Sequence, residues 1–158
     1  MMKRGQPPLI EVQNGQRTIS LSKCSLNAFA EIALSLAWSR RRKGSDIASV
    51  SVIIVSIVSD KRMAQLHQNF CGIAGPTDVL TFQHGEIVIS AETAARQARA
   101  FRSSLEQELR LYILHGLLHL CGYDDTGPRE RAAMERMQDQ LLRMTSRREA
   151  RPSIAPSV

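Results

Sequence analysis

The sequence predicts a single α/β (α+β) domain: a small mixed sheet of about four strands with about five helices packed on it. Three observations carry that expectation. Short Val- and Ile-rich runs are interspersed with helix-period segments without strict alternation, so the elements gather around one small sheet. A chain of 158 residues suits one compact unit, and 43% hydrophobic residues can fill one core. The longest apolar run, Val50 to Val58, is strand-length, well short of the roughly 18 residues a membrane span needs.

The elements follow in order. Leu9 to Gln13 begins with strand-like alternation and meets a turn signal at Asn14-Gly15. Ser25 precedes a helical pattern (Leu26, Phe29, Ile32, Ala33, Leu36, Ala37) that runs into the basic block Arg40-Arg41-Arg42-Lys43 and Gly44. Val50 to Val58 reads as a strand buried on at least one face. Ser59 and Asp60 can cap a helix to about Phe70, and Gly72 to Pro76 is loop. Val79 to Phe82 and Glu86 to Ser90 form two short strands, after which Ser90 caps a helix to about Ala100. Ser103-Ser104-Leu105-Glu106 has capping-box spacing and opens a helix to about Cys121, ended by Gly122. Gly127-Pro128 opens a last charged helix to about Met144. Residues 1–146 are expected to form the domain, and 147–158, basic and rich in Pro and Ser, a disordered tail.

Charge and cysteines narrow the setting. Of the net charge of +6, Lys3 and Arg4 supply two, and the segment holding Arg147, Arg148, Glu149 and Arg151 supplies two more. The block Arg40–Lys43 adds four, leaving the rest of the chain slightly acidic. Such a block either holds phosphates or is a solvated helix end whose cations suit the dipole. Cys24, Cys71 and Cys121 lie far apart without C-x-x-C spacing, which fits a reducing compartment. The N-terminus Met-Met-Lys-Arg-Gly-Gln-Pro-Pro has no apolar signal region behind it, so a cytoplasmic location is expected, with no membrane partner.

The chemistry concentrates at His115-Gly-Leu-Leu-His-Leu-Cys-Gly-Tyr-Asp-Asp125. Residues four apart share a helix face, so His115 and His119 can aim both imidazoles at one point. Gly122 lets the chain fold back and bring Asp124 or Asp125 there as a third ligand. Two histidines and a carboxylate with a fourth position open is a catalytic zinc arrangement. The spacing matches the zinc-peptidase pattern H-E-x-x-H-x-x-G-x-x-H except at two positions. At the first of them Gly116 replaces the glutamate that activates water, which argues against a peptidase or small-ester hydrolase.

The same residues resemble the H-G-x-L-H-L-x-G-Y-D-H signature of the YbeY family of bacterial zinc-dependent endoribonucleases. Pro76-Thr77-Asp78-Val79-Leu80-Thr81-Phe82 is similar to that family's P-T-D-V-L-S-F, and Gly85-Glu86-Ile87-Val88-Ile89-Ser90 to its G-D-I-V-I-S. Met134 falls where the family has a methionine in its last helix. The resemblance runs from about Leu9 to Met144. It implies a small sheet with packed helices, and metal-dependent cleavage of single-stranded RNA in ribosomal RNA maturation, with a metal-activated water working at the phosphate. The implied partners are ribosomal RNA, the small ribosomal subunit and assembly factors.

The resemblance also places the roles. His115, His119 and Asp125 would hold one Zn²⁺, with His115 counted in the catalytic machinery as well. The family's third histidine falls on Asp125, whose anionic oxygen makes the metal a weaker Lewis acid and widens the choice to manganese or iron. Thr77 and Asp78 would brace the site through hydrogen bonds, and Tyr123 would either meet substrate or pack the turn. His67 and His84 are expected to face solvent, and Leu80 and Phe82 to lie in the core. Cys71 stands where the family has an arginine; the expectation is a buried, inert thiol, with approach to the metal as the alternative. Because a thiol cannot clamp phosphate as a guanidinium does, an RNA-binding or ribosome-assembly factor with weak or no cleavage is the competing function.

Overall fold

The structure, a computed structural model, describes residues 5–151. Strand β1 (Leu9–Asn14) leads into helix α1 (Lys23–Trp38), and a 3-10 turn (Asp46–Ser49) leads into strand β2 (Val52–Val58). Helix α2 (Asp60–Cys71) precedes the hairpin of β3 (Val79–Phe82) and β4 (Glu86–Ser90). Helices α3 (Ala91–Ala100), α4 (Leu105–Leu120) and α5 (Pro128–Ala150) complete the fold. The sheet order is β1-β2-β4-β3, with β1, β2 and β4 parallel and β3 antiparallel to β4. The expected mixed sheet of four strands and five helices is what the described residues form.

The period-2 alternation of the strands explains where the core sits. Ile53, Val55 and Ile57 of β2 are fully buried, while Ile54, Ser56 and Val58 between them are only half so. In register with the buried set lie Ile10 and Val12 of β1 and Ile87 and Ile89 of β4. This apolar face is covered by α1 and α4, and α5 packs on both helices. Each Leu or Ile buried there contributes roughly 1.5–3 kcal/mol. Ala30, Ala33 and Ala37 are fully buried on α1, where small side chains permit close approach. Helix α4 also lies close over β4: a Cβ built on the buried Gly116 would stand 2.6 Å from Cγ2 of Ile87.

Two helix starts differ from the sequence reading by local hydrogen bonding. Helix α1 begins a turn early because the Ser22 hydroxyl accepts the N–H of Ser25 at 3.2 Å. In α4 the capping box is Ser104 with Gln107, each bonding the other's backbone N–H, while Ser103 donates instead to Glu108. The end of α5 requires a correction. Residues 147–150, assigned to the tail, are helical, because Arg110 of α4 donates to both carboxylate oxygens of Glu149 at 3.0 and 2.8 Å. The remainder of the expected tail, 152–158, lies outside the described residues.

At the far end of the sheet, Asp60 ties the start of α2 to α3. It accepts from the hydroxyls of Ser90 and Thr93 and from Arg96 Nη1 at 2.6 Å, and its own N–H donates to Glu92. Burial pushes its carboxyl up, but these donors, Arg96 foremost, outweigh it and hold the group below the ordinary 3.8. A carboxylate depressed on folding stabilises the protein above its unfolded pKa, and that stability is lost as pH falls through the folded value. We expect Asp60→Asn to destabilise the domain by about 1.5–3 kcal/mol near pH 7. The difference from wild type should shrink once the pH falls below the ordinary 3.8, as read by urea unfolding at two pH values.

Candidate metal centre

Helix α4 sets the first two groups of the site. Its last turn presents His115 and His119 on one side, and the chain leaves the helix through Gly122 at φ +95°, a conformation glycine adopts at little cost. The N–H of Gly122 donates to His119 O and that of Tyr123 to Leu118 O, each at 3.0 Å, so the exit is fixed. The fold-back brings Asp125 to the histidines: its Oδ2 is 3.5 Å from His115 Nε2 and 3.7 Å from His119 Nε2. The two Nε2 atoms are themselves 3.0 Å apart.

The partners of the other ring nitrogens determine what those atoms can do. His115 Nδ1 lies 2.6 Å from the side-chain oxygen of Gln138 on α5, and His119 Nδ1 lies 3.1 Å from the Tyr123 carbonyl. Both oxygens are acceptors, so each Nδ1 donates its proton and each neutral ring is left with a bare Nε2 lone pair. Burial pushes His119 below the ordinary histidine range, and the adjacent His115 pushes the same way, outweighing the pull of Asp125. Two nitrogen lone pairs and a carboxylate oxygen therefore converge, with ligand atoms of all three residues within 4.8 Å of one another. A shared proton would relieve one contact; a divalent cation relieves all three. The donor set thus fits a metal of the zinc type, with three protein ligands and room for a further one.

That room is a cavity of about 300 Å³ between α4 and β3, bounded by His115, His119, Val79, Thr81 and Asp46. The Thr81 hydroxyl is buried there without a hydrogen-bond partner among the described residues.

The structure sorts the remaining expected residues. Asp124 is turned away: its oxygens accept from the N–H groups of Asp125 and Thr126 and from the Thr126 hydroxyl, bracing the loop. Tyr123 packs the turn, its hydroxyl donating to Arg40 O at 3.0 Å. Asp78 accepts from Thr77 and from the N–H of Val79, so the described bonds of this pair order the start of β3 rather than reach the histidines. Cys71 is exposed at the end of α2, where Met63 is the buried residue, so the expectation of a buried thiol is corrected. Leu80 and Phe82 are half-buried rather than core, because β3 is an edge strand; Phe82 packs edge-on against Phe70 and stacks on His84. His84 faces solvent, while His67 closes the following loop through Gly75 O at 2.9 Å.

Two residues of the site were missed in the sequence. Gln138 lies one helical turn after the buried Met134, a spacing that places it on the inward face of α5. Thr81 alternates with Val79 and pairs with Ile87, which puts it on the α4 side of the sheet.

The comparisons with known proteins agree with this geometry. The family described as Endoribonuclease YbeY matches residues 11–146. A relative of that name from Frankia alni is 36% identical over 120 residues, covering 63% of this chain and 65% of its own length. One from Myxococcus xanthus is 31% identical over 150 residues, covering 87% of this chain and 50% of the relative. One from Symbiobacterium thermophilum is 33% identical over 130 residues, covering 72% and 80%. The chain thus spans between half and four-fifths of the length of these curated relatives. The fold is shared with a Thermotoga maritima protein solved in solution, at a TM-score of 0.58 and 24% identity over 95% of this chain and all of the other. Matched along nearly the whole of its described length, with a histidine pair and carboxylate converging at the signature, the chain belongs to the Endoribonuclease YbeY family.

Proposed function

We propose that this protein is a metal-dependent endoribonuclease that cuts single-stranded RNA during ribosomal RNA maturation in the cytoplasm. Its cofactor on this reading is one Zn²⁺ held by His115, His119 and Asp125. The observation that carries it is the convergence of two histidine nitrogens and a carboxylate oxygen beside an open cavity. A divalent cation there supplies Lewis acidity, polarising a phosphoryl oxygen and lowering the pKa of water. The protein does the rest. Gln138 and the Tyr123 carbonyl hold the two imidazoles in the tautomer that offers Nε2, as outer partners of metal-binding histidines do. The free Thr81 hydroxyl can donate to a phosphate oxygen entering the cavity, and Val79 and Leu120 give that cavity apolar walls. Gly116 leaves no general base on α4 between the histidines, which separates this chemistry from that of the zinc peptidases. Ribosomal RNA, the small ribosomal subunit and assembly factors are the partners this reading names. No helix among the described residues is long and apolar enough to cross a membrane.

Metal analysis of wild type beside Asp125→Ala and Asp125→His tests the reading. Wild type should carry about one equivalent of zinc, the alanine variant should bind it at least roughly tenfold more weakly, and the histidine variant should retain it. Chelation should stop RNA cleavage, and wild type purified without bound metal would remove the proposal. One observation favours a second reading: the exposed Cys71 offers no cation where the family resemblance places one. An RNA-binding assembly factor with weak cleavage would bind RNA normally and bind metal, yet turn over no substrate.

A further inference from the structure

Beyond the metal centre, the largest unneutralised charge in the described chain is the block Arg40-Arg41-Arg42-Lys43. None of these four residues makes an ion pair among the described residues. Among the described residues their side chains bond to neutral groups, such as Arg40 to Leu36 O, Arg41 to Trp38 O and Arg42 to Gly122 O. The last turn of α1 contains no basic residue, so the block lies past the helix end. A helix dipole presents only about half an elementary charge there, far less than four cations need. Arg41, Arg42 and Lys43 are exposed.

The block is built onto the site. The N–H of Arg42 donates to Cys121 O at 2.9 Å, and its guanidinium lies 4.4 Å from the centre of the Tyr123 ring. Tyr123 is the residue whose carbonyl fixes His119. The same segment continues through Ser45, bonded back to Arg42, to Asp46 at the cavity wall. Arg41 likewise lies over Trp38, its guanidinium carbon 3.8 Å from the ring centre. A guanidinium held over a ring and bonded through one N–H to a carbonyl still has further N–H donors to offer a phosphate.

We propose that Arg41, Arg42 and Lys43 form a phosphate-binding rim that holds the backbone of single-stranded RNA as it enters the metal cavity. The proposal rests on the nuclease reading for the identity of the polyanion. Like charges crowded on one short segment repel one another in the free protein, and a bound polyanion relieves that repulsion while releasing its counterions. The aromatic and carbonyl contacts of Arg41 and Arg42 hold these two side chains in place beforehand, so they lose less freedom on binding than the exposed Lys43.

The test uses the full metal-loaded chain and a labelled single-stranded RNA oligonucleotide of mixed sequence, followed by anisotropy across a salt series. Arg41→Gln with Lys43→Gln keeps much of each side chain and removes two charges. A control pair, Arg147→Gln with Arg148→Gln, removes two exposed charges from the end of α5. The rim pair should weaken RNA binding about 10- to 30-fold near 0.1 M salt and lower the log–log salt slope by about 1.4. Lys43→Gln alone should give about half that slope change, and the control pair should change little. Unchanged affinity and slope in the rim pair, or an equal loss in the control pair, would overturn the rim. Wild type that binds RNA with the rim-dependent slope but never cleaves it overturns the nuclease reading and leaves the rim. Wild type that cleaves RNA while the rim variants bind as well as it does overturns the rim alone. Wild type that binds no RNA, or rim variants impaired only towards an acidic protein, overturns it too.

Discussion

His119→Ala is expected to abolish RNA cleavage and to leave the protein without bound metal. Loss of an outer partner of a metal-binding histidine costs roughly 10–100-fold in affinity or activity, so loss of the ligand should exceed that range. The fold should survive, because the apo site gains nothing from two lone pairs held 3.0 Å apart beside a carboxylate. The diagnostic is therefore a pair of thermal unfolding curves. Wild type should unfold at a higher temperature with zinc than with chelator, while His119→Ala should show one curve under both conditions and match chelated wild type. Gln138→Leu supplies the graded companion. It removes the acceptor that orients His115, 23 residues away in sequence, and should weaken metal about 10- to 100-fold without emptying the site. Full metal content in His119→Ala would refute the centre as drawn.

Gly116→Ala carries the second large effect, through packing. Alanine is the better helix former by about 1 kcal/mol, so a solvent-facing glycine here would gain from the change. At position 116 the added Cβ would meet Cγ2, Cγ1 and Cδ1 of Ile87 at 2.6–2.9 Å. Ile87 is fully buried in β4, with strands on both sides, and has little room to swing away. Overpacking of this kind costs about 1–3 kcal/mol. We expect a net loss of up to about 2 kcal/mol in urea unfolding with chelator present, and weaker metal binding, because α4 carries both histidines as it lifts. Ile87→Val keeps both γ carbons and should not rescue the variant. Ile87→Ala removes all three clashing atoms, and the double variant should lose less than the sum of the two singles. A more stable Gly116→Ala would show that the helix–sheet contact is looser than the geometry states.

The sequence carried most of the fold because its signals are local. Val- and Ile-rich runs located β2 and β4, Ser59 and Ser90 capped their helices as read, and Gly122 ended α4. The histidine pair was legible for the same reason, since a spacing of four on a helix leaves one geometry. What failed depended on distant partners. Helix α5 outlasts its apparent end because Arg110, 39 positions away in the chain, holds Glu149. Phe82 looked like core and is half-buried, since nothing in its own segment reveals that β3 closes the edge of the sheet. Local spacing left Asp124 and Asp125 open and the family resemblance pointed to Asp125; in the structure Asp125 lies beside the histidines, while Asp124 bonds to Thr126. Gly116 was read only as a missing catalytic base, and its role in letting α4 settle on Ile87 required the other element to be in view.

The bond from Gln138 to His115 has a consequence in time as well as in space. A polypeptide emerges from the ribosome N-terminus first at about 5–20 residues per second, and domains assemble as their parts appear. His119 finds its carbonyl four residues on, whereas His115 waits for a partner 23 residues further along the chain. For roughly one to five seconds of synthesis the first imidazole is made while its orienting group is not. Until α5 docks, Gln138 cannot fix which nitrogen His115 offers, so the growing chain is expected to hold metal about 10- to 100-fold more weakly than the finished one. On the proposed reading, full affinity for metal arrives only with the last helix.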